Sequence, residues 1–212
     1  MSSYDLEEQE QLAELKAWWK QYGNLVLTGV TVALLVVAAW NGWTWYQRWV
    51  SAQAAGVYES LQKAAYAGDA KAVRDAAGTI LEKYSGTAYA PLGALVSAKA
   101  HVLAGDVKTA RAQLQWAVDN AKQDEVRSVA RLRLSSLLVD DNALEEALKV
   151  LEAKPAAGFE GLFAAARGDA LFAQKKFAEA RAAYKDAMER VDKKDGALRE
   201  SLQLKLDALE AS

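Results

Sequence analysis

Between Lys20 and Arg48 the chain runs for 27 residues without a charge. The centre of that run, Asn24–Tyr46, is NLVLTGVTVALLVVAAWNGWTWY. An α-helix rises about 1.5 Å per residue, so roughly 20 such residues cross a hydrocarbon core about 30 Å thick. No water is present there to satisfy a free peptide group, so a lone spanning segment has to be helical. The flanks agree. Trp18, Trp19 and Tyr22 precede the apolar run, and Trp40, Trp43, Trp45, Tyr46 and Trp49 close it, which takes up six of the seven tryptophans. Indole and phenol rings settle at headgroup level, apolar at one end and hydrogen-bonding at the other. These eight residues are expected at the membrane interface. The alternative, a buried helix of a soluble core, gives no reason for tryptophans at both ends.

A cleaved signal peptide opens on a short basic region, whereas this chain opens on SSYDLEEQEQLAELKAWWKQYG after Met1, which is long and acidic. Val37-Ala38-Ala39 resembles a cleavage site; Ala52-Gln53-Ala54 fits the pattern better but lies beyond Arg48, too far along. The segment is therefore expected to stay as a signal anchor. Lys16 and Lys20 lie before it and Arg48 and Lys63 after it, so the basic residues give only a lean toward an inside N-terminus. Over residues 5–20, Leu12, Leu15 and Trp19 share a helical face while Glu7, Glu8, Glu10 and Glu14 crowd the polar side. This helix either binds an interface or partner or simply begins the membrane helix. Inside the span Gly29 and Ala33 are four apart, the spacing that lets two helices approach closely, and they form a candidate helix–helix contact. The span holds no ionisable residue and so offers no proton or ion path by itself.

Three segments follow: 1–23 acidic and amphipathic, 24–46 transmembrane, and 47–212 a separate domain. Beyond Arg48 the composition turns alanine-rich, apolar residues keep helical spacing, and the only prolines are Pro91 and Pro155. Sustained alternation is missing, so the domain is expected to be all-α. It also repeats. Ala67-Gly68-Asp69-Ala70-Lys71 returns as Ala104-Gly105-Asp106-Val107-Lys108, then as Asp141-Asn142-Ala143-Leu144 and Gln174-Lys175-Lys176-Phe177. Gly or Asn suits the left-handed residue that ends a helix, and Asp69 and Asp106 suit the cap of the next. About four helix hairpins result, near 52–83, 88–121, 125–153 and 159–192, followed by an amphipathic helix at 196–209. A two-helix period in the mid-thirties indicates an α-solenoid, and the last helix, with Leu198, Leu202, Leu206 and Leu209 on one stripe, caps it.

The hairpins resemble tetratricopeptide repeats. In the fourth, Gly168, Leu171, Phe177, Ala180, Tyr184 and Ala187 take that motif's spacing. Ala98, His101, Val107, Ala110, Leu114 and Ala117 correspond in the second, Ser135, Leu138, Leu144, Ala147 and Leu151 in the third, and Leu61, Ala64, Ala70, Val73, Ala77 and Ile80 in the first. The motif's early tryptophan is missing and two periods run long, so the repeats are divergent.

Catalytic chemistry finds no foothold. The chain has one histidine, His101, and no cysteine, which removes the usual zinc sites and Ser-His or Cys-His pairs. No glycine-rich phosphate loop is present. Acidic pairs such as Asp140-Asp141 and Glu145-Glu146 sit where carboxylates are normally solvated. The expectation is no enzyme, no cofactor, no metal and no small-molecule substrate. From residue 50 onward acidic and basic residues balance, so nucleic acid is not expected as a partner. A binding surface remains. Tyr58, Tyr66, Tyr89, His101, Phe163 and Phe172 fall on the first helices of the hairpins, which line the inner face of a solenoid, and form the candidate groove for apolar or extended polypeptide. Trp116 falls on a second helix and is expected to be packed.

The whole layout resembles the bacterial YfgM family of ancillary SecYEG translocon subunits. The residues carrying the likeness are Leu15-Lys16-Ala17-Trp18-Trp19-Lys20 with Tyr22-Gly23-Asn24, and Leu202-Gln203-Leu204-Lys205-Leu206-Asp207-Ala208-Leu209. The resemblance implies a single-pass protein of the bacterial inner membrane, N-terminus cytoplasmic and repeats periplasmic. It further implies association with SecYEG and with PpiD, a membrane-anchored periplasmic chaperone, in the handling of newly exported clients. Two rival roles fit the same architecture: a scaffold for another envelope assembly, such as cell division or outer-membrane biogenesis, or a regulator.

Overall fold

The computed structural model describes the backbone of residues 3–210 and the side chains of residues 10–209. Glu7 and Glu8, expected on the polar side of the first helix, lie outside the described side chains. All regular structure among the described residues is helical. The chain divides into two compact units, Met1–Val50 and Ser51–Ser212.

Helix α1, Ser3–Ala67, provides all of the first unit's described structure and opens the second. The amphipathic segment and the apolar run thus belong to one helix. Gly23, the residue best placed to interrupt it, lies beneath the Trp19 indole, whose ring atoms sit 3.1–3.2 Å from where a Cβ would be. The threonines of the run satisfy their own hydroxyls: Thr28 and Thr31 each donate to the carbonyl four residues back, at 2.8 Å. Thr44 donates to Asn41 at 2.9 Å. Bonds of this type let a polar side chain sit on a helix with no water to satisfy it.

In the second unit the end of α1 pairs with α2, Ala70–Lys83. Next come α3, Tyr89–Leu103, with α4, Val107–Asn120; α5, Asp124–Asp140, with α6, Leu144–Val150; and α7, Glu160–Ala173, with α8, Phe177–Arg190. Helix α9, Gly196–Glu210, closes the array. Consecutive helices pack from α2 through α9, and α5 also meets α3 and α7, so first helices lie side by side. The third hairpin was expected to reach residue 153, but α6 stops at Val150. Pro155 holds Lys154 out of the helical region and so bars any continuation past residue 153.

The four repeated turns are one structure. Gly68, Gly105, Asn142 and Lys175 are all left-handed, with φ of 70°, 77°, 58° and 63°. The two glycines take that conformation without strain from a Cβ. Asp69 then caps α2 by accepting from Lys71 and Ala72 amides, and Asp106 caps α4 through the Thr109 amide. Ala143 and Lys176 hold the same place before α6 and α8 without a side-chain cap.

The core is a row of local clusters. Leu61, Val73, Ala77 and Ile80 fill the first repeat; Ala98, Leu114, Leu134 and Leu138 fill the second and third; Tyr184, Ala187, Leu202 and Leu209 join the fourth to α9. Trp116 packs against both the first and second clusters. Helices α7 and α8 meet most closely. A Cβ on Gly168 would lie 2.5 Å from Tyr184 Cδ1, and one on Gly161 would lie 3.0 Å from the Val191 amide nitrogen. Tyr184 is pinned in that gap: its hydroxyl donates to Asp169 at 2.8 Å, and the Lys205 ammonium bonds the same carboxylate oxygen at 2.6 Å. Burial pushes the Tyr184 phenol well above its ordinary pKa, and the Asp169 hydrogen bond and charge push it further. The phenol therefore keeps the proton it donates.

Candidate anchor and candidate binding groove

The apolar run has almost no cover. In its most apolar 18-residue window only 6 % of residues are buried, with Leu25, Leu34, Leu35 and Trp40 all exposed. A core helix of a soluble domain would be covered by its own chain; this one is a candidate membrane span that needs another solvent. The aromatic residues gather at its two ends. Trp18 lies 6.3 Å from Trp19 and 5.8 Å from Tyr22 between ring centres, while Tyr46 lies 6.2 Å from Trp43 and 6.4 Å from Trp49. All eight aromatic residues expected at an interface are exposed. Asn24 to Tyr46 spans about 33 Å along a helix, close to the hydrocarbon thickness. No atom lies within 4 Å of a Cβ built on Gly29, and Ala33 is exposed on the next turn.

On the repeat unit, the six aromatic groove candidates separate. His101 is buried, at 7 % exposure, with its Nδ1 3.1 Å from Asp106 Oδ2. It braces the second turn instead of facing a partner. Phe163 is fully buried. Both lie on first helices, but on the side that packs against neighbours. Tyr58 and Tyr89 are half-buried with ring centres 5.6 Å apart, and Gln62 donates to the Tyr58 hydroxyl at 3.3 Å. Burial raises the Tyr58 phenol pKa. Tyr66 is 90 % exposed, and Phe172 is exposed with its ring 5.6 Å from Phe177.

What the structure adds is the surroundings of Tyr66. A hollow of about 300 Å³ is lined by Gln62, Tyr66, Leu95, Lys99, Leu103 and Arg133, among others. A second, of about 350 Å³, adjoins it, lined by Val102, Leu114, Leu137 and Asp140, and it shares Lys99 and Arg133 with the first. Leu103 is 80 % exposed at the rim. The charged residues and Leu103 were not among the sequence candidates. A signal did exist: Tyr66, Leu103 and Asp140 recur at intervals of 37, the same interval as the turns. The hollows can grip apolar side chains and offer cationic donors to a carboxylate. Among the described residues no group of three His, Cys, Asp or Glu is placed to hold a metal.

Both features lie in sequence that this chain shares with other proteins. A tetratricopeptide repeat-like domain family matches residues 16–211. Curated relatives named ancillary SecYEG translocon subunit match nearly end to end. The Neisseria gonorrhoeae protein is 30 % identical over 96 % of this chain and 98 % of its own. The Escherichia coli protein is 25 % identical over 95 % and 96 %, and the Haemophilus influenzae protein 26 % over 84 % and 90 %. The chain belongs to this family of ancillary SecYEG translocon subunits. Because the family match begins at Lys16, it takes in Trp18, Trp19 and the apolar run as well as the repeats. Membership therefore rests on the apolar helix and the repeat unit jointly, where repeats alone would place the chain only in a broad fold group.

Proposed function

We propose that this chain is a single-pass inner-membrane adaptor or chaperone of the Sec translocon. Residues 1–23 face the cytoplasm, 24–46 cross the membrane with the eight aromatic residues at its two surfaces, and 47–212 form a periplasmic binding domain. The reading is carried by the near-full-length likeness to relatives named as ancillary SecYEG translocon subunits. The uncovered apolar helix and the hollows beside Tyr66 support it. The anchor acts as a tether: holding the domain near emerging chains raises its effective concentration there without any new contact. The domain takes a partner chaperone such as PpiD, newly exported polypeptide, or both, and performs no catalysis. Gly29 and Ala33 supply the contact through which the anchor chooses its neighbour in the bilayer.

The orientation is tested by fusing alkaline phosphatase after residue 212, since that enzyme is active only where its disulfides form. Strong activity in intact cells is expected. Activity confined to a fusion placed before Asn24, with none after residue 212, rejects the reading.

A further inference from the structure

We infer that the two hollows beside Tyr66 and Leu103 form one recognition site for an extended polypeptide carrying two apolar side chains with a carboxylate between them. The inference rests on the reading of the repeat unit as a protein-binding domain, and it names what that domain recognises.

Three observations converge. The hollows adjoin, and the residues common to both are Lys99 and Arg133 together. A side chain seated in either is therefore next to the same two cations. Those cations lack carboxylate partners: neither belongs to an ion pair among the described residues, and the Arg133 guanidinium's one bond is to the Leu95 carbonyl, at 3.3 Å. Finally, the only acidic group on the walls is Asp140, at the edge of the second hollow. It repels an acidic residue from that end and so leaves the Lys99–Arg133 ridge as the carboxylate's place.

The dimensions agree. Apart from Leu114 of α4, the walls come from the end of α1, from α3 and from α5, three helices that at 8–10 Å spacing cover about 16–20 Å. Alternate residues of an extended chain share one face, so residues i, i+2 and i+4 project together across about 13 Å. That places an apolar group in each hollow and an acid over the ridge. The balanced charge of the domain argues against a polyanion, and the apolar walls argue against a purely charged ligand. Guanidinium against carboxylate fixes register, and the hollows supply burial.

The probe is a fluorescein-labelled dodecapeptide with leucine, glutamate and phenylalanine at alternate positions in a Gly-Ser background. Its anisotropy is titrated with the full chain in lipid nanodiscs. Saturable binding is expected. Glutamine in place of the glutamate, or Lys99→Glu or Arg133→Glu in the protein, should each weaken it about tenfold. A lysine-bearing peptide should bind the Lys99→Glu/Arg133→Glu variant better than it binds the parent chain. That rescue separates lost recognition from lost folding, and circular dichroism melts of these exposed-site variants should match the parent. Equal affinity for the glutamate and glutamine peptides overturns the proposal, as does absence of saturable binding. Self-association abolished by Arg133→Glu also overturns it by assigning the face to a second copy. Cross-links from Trp18–Asn24 to the translocon do not depend on this ridge, so they persist if only the recognition site is wrong and vanish if the adaptor reading fails.

Discussion

The tightest test of the packing is Gly168→Ala. The added Cβ would lie 2.5 Å from Tyr184 Cδ1 and 3.0 Å from Cζ, far inside ordinary carbon contact. The ring cannot swing freely, because its hydroxyl is held by Asp169 and Lys205 sits 5.5 Å above its centre. Overpacking of this kind costs about 1–3 kcal/mol, and displacing the phenol from a charged acceptor costs about 1.5–3 kcal/mol more. Replacing a helical glycine returns about 0.5–1 kcal/mol. The net loss is about 1.5–5.5 kcal/mol, or about 3–20 °C in Tm at about 2–4 °C per kcal/mol for a domain of this size. The assay is thermal unfolding of the full chain in detergent, followed at 222 nm. The second repeat provides the rescue, because Ala98 and Leu114 stand where the fourth has Gly168 and Tyr184. Tyr184→Leu alone loses the Asp169 bond, but the double variant copies the second repeat's pair. The cycle should show about 1 kcal/mol or more of favourable coupling. A Gly168→Ala protein as stable as the parent, or strictly additive effects, would mean that the Gly168–Tyr184 contact does not limit the packing of α7 on α8.

Lys175 spends its place in the fourth turn at φ 63°, so Lys175→Gly should raise stability by about 0.5–1 kcal/mol in denaturant titration, whereas Gly105→Ala, at φ 77°, should lower it. Hydrogen bonds from the Thr109 side chain and amide, with His101 nearby, hold the Asp106 carboxyl below its ordinary range. A depressed folded pKa stabilises above the unfolded value of about 3.9 and loses that effect as pH falls further. Tm should therefore drop below about pH 4, and Asp106→Asn should flatten that part of the profile. Ser135 is buried with its hydroxyl unpartnered, so Ser135→Ala should be neutral or stabilising by up to about 1 kcal/mol in the same melts.

The four turns were legible because each needs a residue tolerant of the left-handed region close to a helix start, and Gly68-Asp69 and Gly105-Asp106 announce it. The α9 stripe was legible for a similar reason. Leu202 and Leu209 are buried while Leu204, off the line, is exposed, as one-sided packing demands. The first helices were harder. Helix α3 is buried at Ala90, Pro91, Gly93, Ala94, Leu95, Ser97, Ala98 and His101, around much of its circumference, so its periodicity does not say which face looks outward. Helix α7 is likewise buried at Gly161, Phe163, Ala164, Ala165, Gly168 and Ala170, which is why His101 on α3 and Phe163 on α7 both read as groove residues. Lys99 and Arg133 could not be joined by sequence, since only the packing of α3 beside α5 brings them to one ridge.

The proposed role requires the apolar helix to place the repeat unit beside the translocon. Photo-cross-linking in living bacteria tests it, with a photoreactive residue replacing Trp18, Gly29 or Leu103 in turn. SecYEG adducts are expected from positions 18 and 29, and adducts with a periplasmic chaperone or newly exported chains from position 103. Adducts only with unrelated envelope proteins, or none with SecYEG from either anchor position, would contradict it.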